Sequence, residues 1–124
     1  SGHGWETWGN FPHEQRRLFD LVRSTGAAGV IFLSGDRHHA EISRLPAGEG
    51  VGYPLFDFTS SGMNQSGHNR QEPNPYRLGE RFTRPHFGVV AIDWAEPDPL
   101  IRMEVRDEAG AARDSASVRL SELR

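Results

Sequence analysis

Ala28-Gly29-Val30-Ile31-Phe32-Leu33-Ser34-Gly35-Asp36-Arg37-His38-His39 is the stretch that decides the fold. Its apolar first half is too short for a helix and suits a β-strand buried on both faces. The run stops abruptly at Ser34, and polar, chemistry-bearing side chains follow at once. Upstream, residues 11–25 read as an amphipathic helix. Pro12 suits the first helical position, Asn10 or Phe11 precedes it as cap, and Gly26 ends the helix as its left-handed C-terminal residue. Leu18, Leu21 and Val22, flanked by Phe11 and Phe19, form the apolar stripe, while His13, Glu14, Arg16, Arg17, Asp20 and Arg23 cover the other side. Helix, short loop and buried strand predict half of an α/β layer.

Downstream the pattern changes. Tyr53 to Ser60 reads as a strand, and Phe87 to Trp94, Leu100 to Asp107 and Ala116 to Leu120 alternate with period two. In Leu100-Ile101-Arg102-Met103-Glu104-Val105-Arg106, Ile101, Met103 and Val105 lie on one face and charged residues on the other. This predicts an antiparallel meander with one wet face at the C-terminus. Pro97 and Pro99 punctuate its first turn, and Glu108-Ala109-Gly110 its second. Between Gly62 and His86 lies a long polar stretch, read as a loop, and loops of that length in compact domains are usually functional or disordered. The class is therefore α/β in its first half and α+β overall.

Composition removes several chemistries. The 124 residues contain no Cys, which excludes disulfides, thiolate metal sites and cysteine nucleophiles. All 14 residues counted as Lys or Arg are Arg, so Walker lysines, Schiff-base lysines and Ser–Lys dyads are excluded as well. A formal net charge of −3 gives no general case for a nucleic-acid-binding surface. No apolar run is long enough for a transmembrane segment. The chain opens without Met and reads as a fragment, so residues 1–124 are expected to form a single partial domain.

The candidate site is Ser34-Gly35-Asp36-Arg37-His38-His39-Ala40-Glu41. Ligands in α/β folds gather outside the carboxyl ends of such strands. Asp36 and His38 offer a carboxylate oxygen and an imidazole nitrogen, donors suited to Zn, Mn or Fe and, for the carboxylate, Ca. The alternative is a turn in which Asp36 caps backbone N–H groups and the histidines lie on the surface. His39 points away from His38 if a strand resumes there, and Glu41 reads as a solvated strand residue. Thr59-Ser60-Ser61-Gly62-Met63-Asn64 is a second candidate, a strand end whose hydroxyls and N–H groups could line a phosphate pocket. Its bland counterpart is an ordinary Ser/Thr/Gly turn. Arg37 could grip phosphate bidentately or pair with a nearby carboxylate. His68 and His86 read as surface residues, Trp5 and Trp8 as core or rim packing.

The residues Trp8-Gly9-Asn10-Phe11-Pro12, Val30-Ile31-Phe32-Leu33-Ser34-Gly35-Asp36-Arg37-His38, Tyr53-Pro54-Leu55-Phe56-Asp57-Phe58-Thr59-Ser60-Ser61-Gly62 and Phe87-Gly88-Val89-Val90-Ala91-Ile92-Asp93-Trp94 occur in this order. Together they resemble the C-terminal part of the PhoD-like alkaline phosphatases, within the calcineurin-like metallophosphoesterase superfamily. The resemblance implies a β-sandwich flanked by helices, with metals held on loops at strand ends. It places Asp36 and His38 as metal ligands, in a Gly-Asp-x-His version of the superfamily's Gly-His-x-His. The metal would be Ca, Fe, Mn or Zn, a carboxylate at the first position favouring the harder ions. Arg37, Ser61 and Asn64 become substrate-binding positions. The implied activity is phosphatase or phosphodiesterase hydrolysis of phosphate esters by metal-activated hydroxide. Gly9-Asn10 and His13-Glu14 are not the superfamily's Gly-Asn-His-Glu, because Phe11-Pro12 interrupts them and moves His13 onto a helix. The remaining ligands are implied to lie in a missing N-terminal part of the same domain, so the fragment alone is expected to be inactive. A periplasmic or extracellular location is implied too. The contrasting expectation is a catalytically silent, metal-free β-rich binding or packing module.

Overall fold

A computed structural model describes residues 7–68 and 70–124. A short 3-10 turn at Trp8–Asn10 leads into helix α1, Pro12–Thr25. Pro12 occupies the first turn, and Gly26, at φ 64°, closes the helix, its N–H bonding the Arg23 and Val22 carbonyls. The predicted stripe is only partly used. Val22 is buried and Leu18 and Phe19 half-buried, but Leu21 and Phe11 are exposed.

Seven strands follow among the described residues. Strands β1 (Ile31–Ser34), β2 (Ala40–Leu45), β3 (Leu55–Ser60) and β4 (Arg77–Phe82) form one sheet in the order β1-β3-β2-β4. Strands β5 (His86–Ile92), β6 (Leu100–Asp107) and β7 (Ala112–Arg119) form the second, an antiparallel meander in chain order. The mixed α and β content and the C-terminal meander are as the sequence predicts. Ile101, Met103 and Val105 are buried, with Arg102, Glu104 and Arg106 on the other face. There Glu104 pairs with Arg106.

The expectation for the opening apolar run is corrected. Among the described residues β1 is an edge strand, paired only with β3, and Leu33 is 69% exposed. The strand buried on both faces is β3, parallel to β1 on one side and antiparallel to β2 on the other. A continuous apolar run cannot reveal which sheet position it will take. The long stretch from Gly62 to His86 is not all loop either, since it contains β4. β2 is the strand in which the sequence places Glu41, and it runs on to Leu45.

The two sheets share one core. Ile42, Phe56 and Phe58 of the first meet Ile101, Met103, Val105 and Val118 of the second. At the C-terminus Leu123, fully buried, joins this core, and its carbonyl accepts from the Gly29 N–H at 2.8 Å. Among the described residues no helix is long and apolar enough to cross a membrane.

Ile42 has no exposed surface and lies in the layer between the sheets. Replacing it with Ala removes apolar contacts and leaves a cavity, an expected loss of about 2–5 kcal/mol. A urea titration should show a lower midpoint with an unchanged slope.

Candidate functional site

The register of the first sheet brings the two sequence candidates together. Ser34, the last residue of β1, pairs with Thr59 near the end of parallel β3, and Ala40 at the start of β2 pairs with Ser60. The turn from Gly35 to His39 and the segment from Ser61 to Asn64 therefore leave the same edge. They touch: the His38 N–H donates to Ser61 Oγ at 3.0 Å.

The turn is strained at two residues. Asp36, at φ 69°, and His38, at φ 53°, are the non-glycine residues with positive φ among those described. Asp and His enter this region more readily than most side chains, yet left-handed backbone costs about 1–3 kcal/mol and persists where the surroundings hold it. Gly35 is not among the positive-φ glycines, so the unusual backbone falls on the two chemistry-bearing residues.

What holds the turn is a carboxylate in the loop opposite. Arg37 Nη2 donates to Glu72 Oε1 at 2.6 Å, and Glu72 is buried. His68 Nε2 lies 3.0 Å from the same oxygen, and Arg81 Nη1 lies 3.2 Å from the other. Burial pushes the Glu72 carboxyl up, but Arg37 and Arg81, helped by His39 and His68, outweigh it and hold it below the usual range. Of the two partners the sequence offers Arg37, the carboxylate is the one found. Gly67 packs so closely on the turn that a Cβ there would sit 2.5 Å from the His38 carbonyl oxygen.

His39 is buried and His38 half-buried, and both precede β2, so the alternation expected of a resumed strand does not apply to the pair. Burial above all lowers the His39 imidazole to about 4, so it is neutral near pH 7.

Three expectations for neighbouring residues need correction. Glu41 is not a solvated strand residue: its carboxylate accepts from Arg77 Nε at 2.6 Å and from Asn74 Nδ2 at 3.1 Å. His68 is half-buried against Glu72. His86 is 2% exposed rather than on the surface. Its Nε2 accepts from the Gly62 N–H at 3.2 Å while Nδ1 bonds the Arg84 carbonyl at 2.7 Å, stapling the loop's start to β5. A side chain at Gly62 would collide with that ring, its Cβ 2.3 Å from Cε1.

Two clefts open at this end of the sheet, both lined by Leu33 and Ser34 but on opposite faces, Asp57 and Thr59 lining the first and Phe58 and Ser60 the second. The first, about 390 Å³, is lined by Asp36, Arg37, His39, Glu41, Asp57 and Glu72, with exposed Trp8 at its rim. Trp5 lies outside the described residues. Asp57 is the carboxylate that sequence reasoning passed over, although an acid inside an apolar strand is itself a signal. Burial raises its pKa, against the opposing hydrogen bond from Ser34, and nearby Glu41 raises it further. The second cleft, about 410 Å³, is lined by Ser61 and Asn64. His38 lines neither.

Asp36 and His38 are donors of the implied types. Among the described residues, however, no group of three or more His, Cys, Asp or Glu side chains is placed to hold a metal ion. This chain's two donors would need others to complete a centre. No protein-family model, curated protein or solved structure matches the chain.

Glu72→Ala would leave Arg37 and Arg81 without their buried counter-charge, an expected cost of about 3 kcal/mol. Because Glu72 is held below its ordinary pKa, its contribution is complete above the unfolded value and lost as pH falls through the folded value. The stability gap between wild type and variant, followed by thermal melts, should therefore begin to close near the ordinary Glu value of about 4.3 and go on closing as pH falls beneath it.

Proposed function

We propose that the chain is the C-terminal portion of a PhoD-like metallophosphoesterase domain that hydrolyses phosphate monoesters or diesters. The observation that carries this reading is the turn at the end of β1. Asp36 and His38, the residues the resemblance assigns as ligands, are those whose backbone is forced into the left-handed region. Strain of this kind clusters at functional sites. The Glu72–Arg37 pair and the Ser61 hydroxyl hold the turn between them.

In this reading Asp36 and His38 hold the edge of a metal centre containing Ca, Fe, Mn or Zn, and further ligands come from protein upstream. Bound metal ions would supply water acidified towards neutral pH and charge to offset the phosphate oxygens. The first cleft suits this: Glu41 and Glu72 are paired with arginines, and Asp36 and Asp57 are the lining carboxylates with no arginine partner among the described residues, whose charge metal ions would offset. Arg37 acts mainly as the anchor of the turn, its charge shared with Glu72. Ser61 and Asn64 bind substrate beside it. The open edge of β1, with exposed Leu33, supports an upstream segment that completes the sheet and the site. By the same resemblance the protein works in the periplasm or outside the cell.

The test uses a parent polypeptide that includes that upstream segment. Release of 4-nitrophenol from a monoester and a diester should depend on added metal and fall at least ~100-fold in His38→Ala. Turnover indifferent to the substitution would remove His38 from the site. Absence of turnover with every metal would leave a silent binding module as the better description.

A further inference from the structure

One buried polar side chain of the first cleft is left without a task. His39 is 3% exposed and lines that cleft, yet its ring makes no hydrogen bond among the described residues. The charged groups around it, Glu41, Arg81, Glu72 and Arg37, are spent elsewhere. Arg37 and Arg81 pair with Glu72, while Arg77 and Asn74 hold Glu41. Backbone closes another side, where a Cβ on Gly67 would sit 3.4 Å from the His39 Cβ. Among the described residues the side-chain polar atoms both fully occluded and unbonded are Arg81 Nη1 and Asp114 Oδ2. The His39 nitrogens therefore keep a small opening, and the cleft is what they open on. His86, also buried, has both ring nitrogens engaged. Burying a polar group without a partner is destabilising, and such groups call for a missing partner such as a bound ligand.

We propose that His39 is a substrate-binding residue of the first cleft, whose ring N–H donates to an oxygen of the phosphoryl group. This rests on the phosphatase reading and assigns that site a direct contact to the anion. The chemistry follows from what the cleft otherwise offers. Arg37 already faces Glu72, and Asp36 and Asp57 are carboxylates, which repel a phosphoryl oxygen. An oxygen not held by metal needs a donor, and an imidazole carries an N–H in either charge state. Asp36 lines the same cleft, so the residue assigned to metal and the residue assigned to phosphate share one chamber. The ring is already held by its burial, so the contact forms with little further loss of side-chain freedom. A packing role makes the opposite demand: a ring kept for the core should be satisfied as His86 is.

Two variants separate binding from packing. His39→Leu removes the N–H at similar volume, and His39→Gln keeps an N–H donor. In the 124-residue chain His39→Leu should melt about 2–5 °C higher than wild type, because an unpaired polar ring gives way to an apolar side chain. In the metal-loaded parent polypeptide the same change should raise KM for 4-nitrophenyl phosphate and weaken inhibition by inorganic phosphate, each by about 10-fold or more, with metal content unaltered. His39→Gln should recover most of both. Unchanged KM and phosphate inhibition in His39→Leu while turnover persists would overturn the contact and leave the phosphatase reading standing. An equal loss in both variants, or a lower melting temperature in both, would make the ring a packing element and overturn it too. If the parent hydrolyses nothing, the phosphatase reading fails, and NMR of the parent with isotope-labelled histidines, titrated with inorganic phosphate in the presence of Zn²⁺, decides the contact alone. A saturable shift of the His39 ring signals would support it, and unmoved signals would overturn it.

Discussion

Everything in the first sheet is hung on β3. It is hydrogen-bonded along both edges, to β1 in parallel and to β2 in antiparallel register, and Leu55, Phe56, Phe58 and Thr59 bury side chains on both of its faces. A parallel pair ends its two strands on the same side. That constraint sets the end of β1 beside the end of β3, so residues more than twenty positions apart in the chain, His38 and Ser61, become hydrogen-bonded neighbours. The second sheet packs over the same strand, with Gly88 of β5 against Phe58. A one-residue slip of β3 would exchange the faces to which Phe58 and Thr59 point and shift the two candidate segments out of register.

With that frame in place, the candidate site is assembled largely by electrostatics. Among the described residues four carboxylates line the first cleft, and two of them, Glu41 and Glu72, are neutralised by Arg77 and by Arg37 with Arg81. Asp57 has no such cation among the described residues; Ser34 donates to it at 2.7 Å, and burial pushes its pKa up. The loop carrying Glu72 thus does two things at once. It compensates buried positive charge, and through Arg37 it keeps Asp36 and His38 in a backbone conformation that an isolated peptide would rarely hold.

The elements most legible in the sequence are those whose pattern is local. Gly26 and Pro12 mark the helix ends where they are found, and the alternation of Ile101, Met103 and Val105 identifies β6 with the bounds observed. β7 begins earlier than its apolar pattern, because Arg113, Asp114 and Ser115 carry the strand through polar residues. β4 is masked for the same reason: Arg77, Gly79, Glu80 and Arg81 look like loop, and only Leu78 and Phe82 face the core. Asp36, Arg37, His38, Ser61 and Asn64 all come to one edge of the sheet, as their positions at strand ends suggest. Glu72 carries no such sign. Its importance arises from where the loop returns, a tertiary fact that no short pattern encodes. His86 is similar, a histidine whose burial depends on a backbone N–H from a residue twenty-four positions away.

The central claim is that the strained turn after β1 is the edge of a metal centre. The most direct measurement is a crystal structure of the parent polypeptide grown with Mn²⁺, with anomalous scattering recorded. The account predicts a metal peak with an Asp36 carboxylate oxygen and a His38 ring nitrogen at coordination distance, about 2.0–2.2 Å, and both residues still at positive φ. A peak elsewhere, with Asp36 and His38 turned to solvent or bonded only to protein, would contradict it.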